Sequence, residues 1–291
     1  MQSMRKVKGD ELLNFEMTVE KLKKNIKKLK KGKAVAEDGI PNELWIYSTT
    51  DTWQVILKVF NECLEYGIYP WNTARITPLH KKGDKADPNN YRAIAVGSNL
   101  GKLFSGILLD RLIALKNLNC PDTHNHLVNH IFTLSTCIEK HIRKKERLYS
   151  CFVDYRQAFH TVSWEALLYK LGKLGMKGNF FKCIQHMYQA YQYSTAKLKL
   201  LNKISDAIDI LIGTERGHPM SPELFKTHLL DLSIDLNHII GLYLTSLNAA
   251  SISHLLWADD IVLLALDAIP LQTLIDRLTE CTASVKDGGC Q

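Results

Sequence analysis

Residues 254–265 read HLLWADDIVLLA, with two adjacent acids, Asp259 and Asp260, set between runs of branched apolar residues. Short apolar runs on both sides predict two strands and a hairpin that pivots near Ala258–Asp260. Two-residue hairpin turns favour Asn-Gly or Asp-Gly, so Asp-Asp is a poor choice on backbone geometry alone. Adjacent carboxylates also repel, and each raises the other's pKa unless a cation is present. A bound divalent metal would remove that penalty; an ordinary acidic turn is the competing reading. A second acid bears on the choice. In CFVDYRQAF (151–159), Asp154 follows the apolar run Cys151–Val153 directly. A strand-end Asp and an Asp pair at a hairpin turn can meet if their strands are neighbours. Three carboxylates there suit hard, oxygen-seeking ions such as Mg²⁺. Two such ions about 3.5–4 Å apart can activate a hydroxyl and stabilise a leaving pyrophosphate in an in-line displacement. Asp154 and Asp259 are 105 positions apart in the sequence, so spacing leaves the adjacency of the strands open.

The elements that must carry these acids are mostly helical. Apolar residues recur at helical spacing over 51–67, 99–115, 163–175, 178–191, 221–236 and 271–285. On the first of these, Val55, Ile56, Val59, Phe60 and Cys63 fall on one face, and Gly67 is placed to end the helix. Ser163 and Ser221 stand where N-caps belong, the latter followed by Pro222 at the first helical position. Strands are predicted at 75–80, 148–155, 194–200, 206–213 and in the two halves of 254–265. Helical blocks separate these strands without regular strand–helix alternation, which points to an α+β fold, a small antiparallel sheet packed on helices. Polar stretches near 82–92 and 118–128 read as linkers.

The chain has 291 residues, 46% of them hydrophobic, ample for a real core. No apolar stretch reaches the roughly 18 residues of a membrane-spanning helix, and the lysine-rich start has no hydrophobic signal core. The seven cysteines form no C-x-x-C pair, so the sequence suggests neither a zinc site nor a disulfide framework. Free thiols in a reducing, intracellular setting fit best. The formal net charge is +7, and it is unevenly placed: EKLKKNIKKLKKGK (20–33) holds eight lysines in fourteen residues. With Val19, Leu22, Ile26 and Leu29 at helical spacing it reads as an amphipathic helix with a basic face. A second basic group, HIRKKERL, lies at 141–148. A solvated surface, a polyanion partner, and for the first run a membrane-surface or calmodulin-type helix all accommodate these runs.

FVDYRQAF, GTERGHPMSPELF and WADDIVLLA, in that order, resemble the polymerase motifs of LINE-type (non-LTR) retrotransposon reverse transcriptases. ITPLHKKGDKADPNNYRAIAVGSNLGKLFSGILLDRL (76–112) is similar to the fingers segment of that family, and KKGKAVAEDGIPNELW (30–45) to the segment that opens its domain. The resemblance implies a right-hand polymerase with fingers and palm that copies an RNA template into DNA from a DNA primer and deoxynucleoside triphosphates, using two Mg²⁺ or Mn²⁺ ions. It implies a basic N-terminal helical segment (1–33), a fingers-like region (34–150) and a palm (151–291). Carried over by position, Asp154, Asp259 and Asp260 are the catalytic acids and metal ligands. Phe159 matches the aromatic steric gate that excludes a ribose 2′-hydroxyl, although a core Phe reads equally well there. Arg92 in NNYRAI matches the fingers arginine on the incoming triphosphate; a guanidinium fork suits phosphate oxygens. Lys81 and Lys82 would add charge beside it, a plain solvated loop being an equal reading for them. Gly217 in RGHPMSP allows close backbone approach under nucleotide and template.

Departures from the pattern stand beside these matches. Arg216 replaces the usual Gln of the second motif, and His218 a commonly small or acidic residue. His160 replaces the acid that often closes the first motif. AVAEDGI keeps only Asp38 and Gly39 of the family's opening segment. VNHIFTLST, near 128–133, keeps Phe132 and a Ser-Thr but loses a Gly and an Arg. Nothing in the 291 residues matches the lysine-bearing motif, primer-gripping hairpin or thumb that follow in the family, so the resemblance is to a partial or degenerate copy of a longer polyprotein. Three expectations follow: an active polymerase domain, a catalytically inactive nucleic-acid-binding remnant, or a scaffold built on the basic helix. Oligomeric state is left open.

Overall fold

The computed structural model describes residues 12–71, 74–119, 127–154, 162–189, 195–200, 203–209, 213–214, 217–237, 242–243, 251–257 and 260–286. In chain order the elements are α1 (Val19–Ile26), α2 (Asn42–Ile46), α3 (Thr50–Tyr66), β1 (Ala74–His80), β2 (Tyr91–Gly97), α4 (Asn99–Asn119), α5 (Leu127–Lys144) and β3 (Tyr149–Asp154). Next come α6 (Trp164–Lys173), α7 (Gly178–Gln189), β4 (Thr195–Leu200), β5 (Lys203–Asp209), α8 (Ser221–His228) and α9 (Leu230–Asn237). The last are β6 (Leu242–Tyr243), β7 (Ser251–Ile252), β8 (His254–Trp257), β9 (Asp260–Ala265) and α10 (Ala268–Lys286). They form two compact units, one of residues 1–120 with 168–223, the other of 121–167 with 224–291.

In the first unit, α1 is shorter than the basic run suggests. Thr18 caps it, its hydroxyl accepting from the Lys21 N–H. After Ile26 the Lys28 and Leu29 amides bond carbonyls only three residues back, which ends the helix. Leu22 and Ile26 form its buried stripe. Asn25, buried in the last turn of the helix, donates to Asp110 on α4 at 3.2 Å, and Lys28 reaches the same carboxylate at 3.0 Å. The basic helix is therefore pinned to α4 by side-chain bonds as well as by packing. On α3 the buried face is Ile56, Phe60, Cys63 and Leu64, not the expected stripe with Val55 and Val59, which are exposed. Spacing of three and four from Ile56 leads to 60, 63 and 64, and leaves 55 and 59 one step round the helix. Gly67 ends α3 at φ 68°, where an L side chain is strained and an added Cβ would stand 2.6 Å from Lys182 Cβ. Phe60 and Phe104 meet edge to face with centroids 5.1 Å apart, and Trp71 closes on Phe60 at 5.7 Å, at the centre of this core.

β2 is a strand that apolar alternation alone does not reveal, since YRAIAVG begins inside a stretch that reads as linker. It pairs with β1 antiparallel from Ala74↔Gly97 to His80↔Tyr91. β4 joins β1 in parallel over Ala74–Ile76 and pairs with β5 antiparallel, giving the order β2-β1-β4-β5. This sheet is mixed, where an antiparallel one was expected. Pro78 lies beyond the residues that β4 pairs, so its missing N–H faces no second strand.

In the second unit the sheet is antiparallel, in the order β3-β9-β8. Residues alternate between its faces. Ile261, Leu263 and Ala265, with Val153 and Cys151, pack on Leu232 and Leu236 of α9 and Leu274 and Leu278 of α10. The opposite face presents Leu255 and Leu264 to Cys137 and Leu134 of α5. α5 has no counterpart among the predicted helices. The single helix expected over 221–236 is two, α8 and α9, parted at Leu229.

Candidate functional site

Spacing along the chain does not place residue 154 near residue 260; strand register supplies the link. β3 and β9 pair antiparallel from Tyr149↔Ala265 to Asp154↔Asp260, so the two aspartates stand directly opposite. Directly opposite residues in an antiparallel pair project to the same face with Cβ atoms about 4.5–5.5 Å apart. β8 pairs with the other edge of β9 and ends on Trp257↔Asp260. Asp259, next to Asp260 in sequence, lies outside the described residues, as does Phe159.

Both strands push a carboxylate onto this face for the same reason. On β3, Cys151 and Val153 turn to the α9–α10 core, so Asp154 must turn away from it; on β9, Ile261 and Leu263 do the same for Asp260. Asp154 and Asp260 are exposed. They stand at the rim of a cavity of about 280 Å³, floored by Phe152, Val262 and Leu255 and walled by Ile131 and Leu134 of α5. Like charges directly opposite on a sheet destabilise it. A cation bound between these carboxylates would relieve that repulsion. Among the described residues no cluster of three or more His, Cys, Asp or Glu is placed to hold a metal; Asp154 and Asp260 supply two carboxylates, and the sequence puts Asp259 beside them.

The first unit gathers three other predicted residues on one hairpin. Arg92 is the second residue of β2, opposite Leu79, and is exposed, as are Lys81 and Lys82. Lys81 follows β1 directly; its N–H donates to the Asn90 carbonyl at 2.8 Å, which closes the loop. Asp84 and Asp87 turn that loop by accepting from the amides of Ala86 and Asn89, each at 2.9 Å. Asn90 Nδ2 crosses it to the Asp84 carbonyl at 2.9 Å. Gly217 lies against the same hairpin: at φ 112° its backbone approaches β2 so closely that a Cβ would sit 2.8 Å from the Ala95 carbonyl oxygen. Beside it runs a groove of about 470 Å³, lined by Ile94–Val96, Gly217 and Pro219 and by Lys28, Lys30, Lys33 and Lys102.

Beneath Gly217 is a buried polar cluster that the sequence does not announce. His218 is 7% exposed. Its Nε2 lies 3.0 Å from Ser105 Oγ and 3.3 Å from the Tyr69 hydroxyl, and its Nδ1 accepts the Met220 N–H at 3.3 Å. Burial, with Lys102 nearby, pushes its pKa down to about 3. Glu223 and Lys116 form a buried ion pair at 2.5 Å. The described cysteines 63, 137, 151 and 183 are free, and burial pushes the Cys183 thiol up to about 12, so it is not a thiolate nucleophile. Among the described residues no helix is long and apolar enough to cross a membrane.

Residues 79–287 match the family model described as reverse transcriptase (RNA-dependent DNA polymerase). The RNA-directed DNA polymerase from mobile element jockey of Drosophila funebris is 26% identical over 266 residues, covering 85% of this chain and 27% of that protein. The Pol polyprotein from type-1 retrotransposable element R2 of Popillia japonica is 28% identical over 211 residues, 71% of this chain and 29% of that protein. The chain thus spans under a third of the length of these relatives. Among solved structures, apo telomerase from Candida tropicalis, truncated from its C-terminal domain, is similar with a TM-score of 0.49 and 12% identity, over 74% of this chain and 47% of that one.

Proposed function

The chain belongs to the reverse transcriptase (RNA-dependent DNA polymerase) family, of the non-LTR retrotransposon kind, and from that premise we propose that it is a polymerase domain extending a DNA primer on an RNA template through two divalent cations. The observation that carries this reading is the pairing Asp154↔Asp260, with Asp259 adjacent in sequence. Exposed carboxylates, facing one another across strands and offering hard oxygen ligands, fit Mg²⁺ or Mn²⁺. Two cations held there would lower the pKa of a primer 3′-hydroxyl and neutralise charge on a departing pyrophosphate.

The remaining roles fall to the chain's own side chains. In this reading the second unit supplies the palm and the β1–β2 hairpin the fingers. Arg92 clamps triphosphate oxygens with its planar fork, and Lys81 adds a point charge beside it. Gly217 lets nucleotide and template pass close to the backbone. Phe159, matched to the family's steric gate by sequence position, would exclude a 2′-hydroxyl. Lys30 and Lys33 line the groove beside Gly217 and neutralise template phosphates there.

Primer extension by the whole chain, with Mg²⁺ or Mn²⁺ and an RNA template, tests the proposal. Extension is expected, and Asp154→Ala is expected to remove it while leaving primer–template binding in place. Salt-sensitive binding without extension by the unsubstituted chain would favour the inactive nucleic-acid-binding remnant instead.

A further inference from the structure

We infer that His218 is a positioning residue for the substrate slot: its neutral ring, hydrogen-bonded at both nitrogens, holds the Gly217–Pro219 backbone at a fixed distance from β2. The inference rests on the reading of that groove as a template and nucleotide slot, and it concerns a position where the chain departs from the common family pattern.

The hydrogen-bond directions follow from the donors present. The Met220 N–H can only donate, so Nδ1 accepts and the proton sits on Nε2. Ser105 Oγ gives its own proton to the Gly101 carbonyl at 2.8 Å, one turn back on α4. It therefore accepts from His218 Nε2–H at 3.0 Å. The ring joins α4 to the loop, and Tyr69 buttresses it edge to face, ring centroids 6.1 Å apart. A small or acidic residue here would leave Ser105 without its imidazole donor and would empty a ring-sized volume.

The position in the loop makes this tether consequential. Residues 217 and 219 line the groove, and 218 points the other way, into the core. Gly217 is already in contact with β2, since a Cβ would stand 2.8 Å from the Ala95 carbonyl. Ala95 and its neighbours Ile94 and Val96 line the same groove. A loop released from Ser105 is free to slide along β2, and the slot then changes width while keeping all its groove residues. An ordinary core histidine would not do this, because its neighbours in sequence would not form a ligand surface.

The test compares His218→Phe, which keeps the ring volume and loses both hydrogen bonds, with His218→Gln, which keeps a donor at the ε position. Steady-state kinetics are measured on a primed RNA template, with binding of the same primer–template followed by fluorescence anisotropy. His218→Phe is expected to raise KM for the nucleotide or weaken primer–template binding about tenfold, the equivalent of one buried hydrogen bond, with kcat within about twofold. His218→Gln is expected to stay near the parent, and Ser105→Ala to fall near His218→Phe. Equal KM and binding in all three variants would overturn the inference. So would a uniform loss of kcat and binding that tracks a fall in melting temperature, since that marks general destabilisation. If the parent binds primer–template but does not extend it, the polymerase proposal fails while the binding arm still decides the role of His218.

Discussion

At the scale of single residues, Asp154 and Asp260 repel one another when no cation is bound, and in the proposed function a cation would turn that repulsion into binding. Their register puts like charges directly opposite on one face of a sheet. The sign of the prediction follows. In the presence of a chelator, Asp154→Asn should raise the melting temperature or leave it unchanged, because it removes repulsion. Millimolar Mn²⁺ should raise the melting temperature of the parent chain, by ligand linkage, and should not raise that of Asp154→Asn. Thermal melts with and without Mn²⁺ read both effects; a Mn²⁺ shift that persists in the variant would remove Asp154 from the ligand set. These acids are legible because an acid pair between apolar runs is poor turn chemistry. Their adjacency is not, because pairing across 105 positions depends on which strands meet, and local pattern does not encode that. His218 is visible in the sequence only as a mismatch to a motif. Its partners, Tyr69 and Ser105, come from two distant parts of the chain, and no periodicity connects them.

At the scale of elements, two buried polar devices carry energy that composition does not disclose. Lys116 on α4 and Glu223 on α8 pair at 2.5 Å with side chains 3% and 11% exposed. Removing one partner strips a buried charge of its counter-ion, so Lys116→Met should cost about 3–5 kcal/mol in urea unfolding. Lys116→Met with Glu223→Leu should recover most of that loss, which separates the pair's net contribution from the penalty of half of it. Two histidines, His218 buried and His254 half-buried, give a pH dependence. Burial pushes His218 down to about 3 and His254 down to about 4, against about 6.5 in an unfolded chain. As pH falls from about 6.5 the unfolded chain takes up protons that the folded chain refuses, so stability decreases with falling pH. Each group contributes at most about 1.4 kcal/mol per pH unit over that window. Urea unfolding at pH 7 and pH 5.5 should show the decline, and His218→Phe should make it smaller; a flat profile would contradict the lowered pKa of both rings. Elements with clear caps are readable from sequence: Ser163 opens α6, accepting from the Ala166 N–H, and Gly67 closes α3. α5 and β2 are not readable, since each begins in a polar stretch and is fixed by tertiary contacts, Cys137 on Leu255 and Leu264 in one case and the ladder to β1 in the other.

At the scale of the whole molecule, the net charge of +7 becomes a located property. Asp110 draws Lys24 and Lys28 to it, so part of the basic run is held against α4. Lys30 and Lys33 remain along the groove beside Gly217. Nucleic-acid affinity should fall with salt, and replacing both lysines by Gln should reduce the slope of log K against log salt by roughly one for each phosphate no longer neutralised. An unchanged slope would place the polyanion elsewhere. The α+β class and the acidic hairpin are readable from pattern and motif. The mixed sheet of the first unit is not, because the parallel pairing of β1 with β4 joins segments more than a hundred residues apart.

The most direct test of the account is a count of cations at the acidic row. Mn²⁺ bound to the chain with an RNA–DNA primer–template and a non-hydrolysable nucleotide should give the magnetic coupling of a metal pair about 3.5–4 Å apart by electron paramagnetic resonance, and Asp154→Asn should abolish it. Isolated Mn²⁺ signals alone, or a coupled pair that survives Asp154→Asn, would contradict a polymerase centre built on Asp154, Asp259 and Asp260.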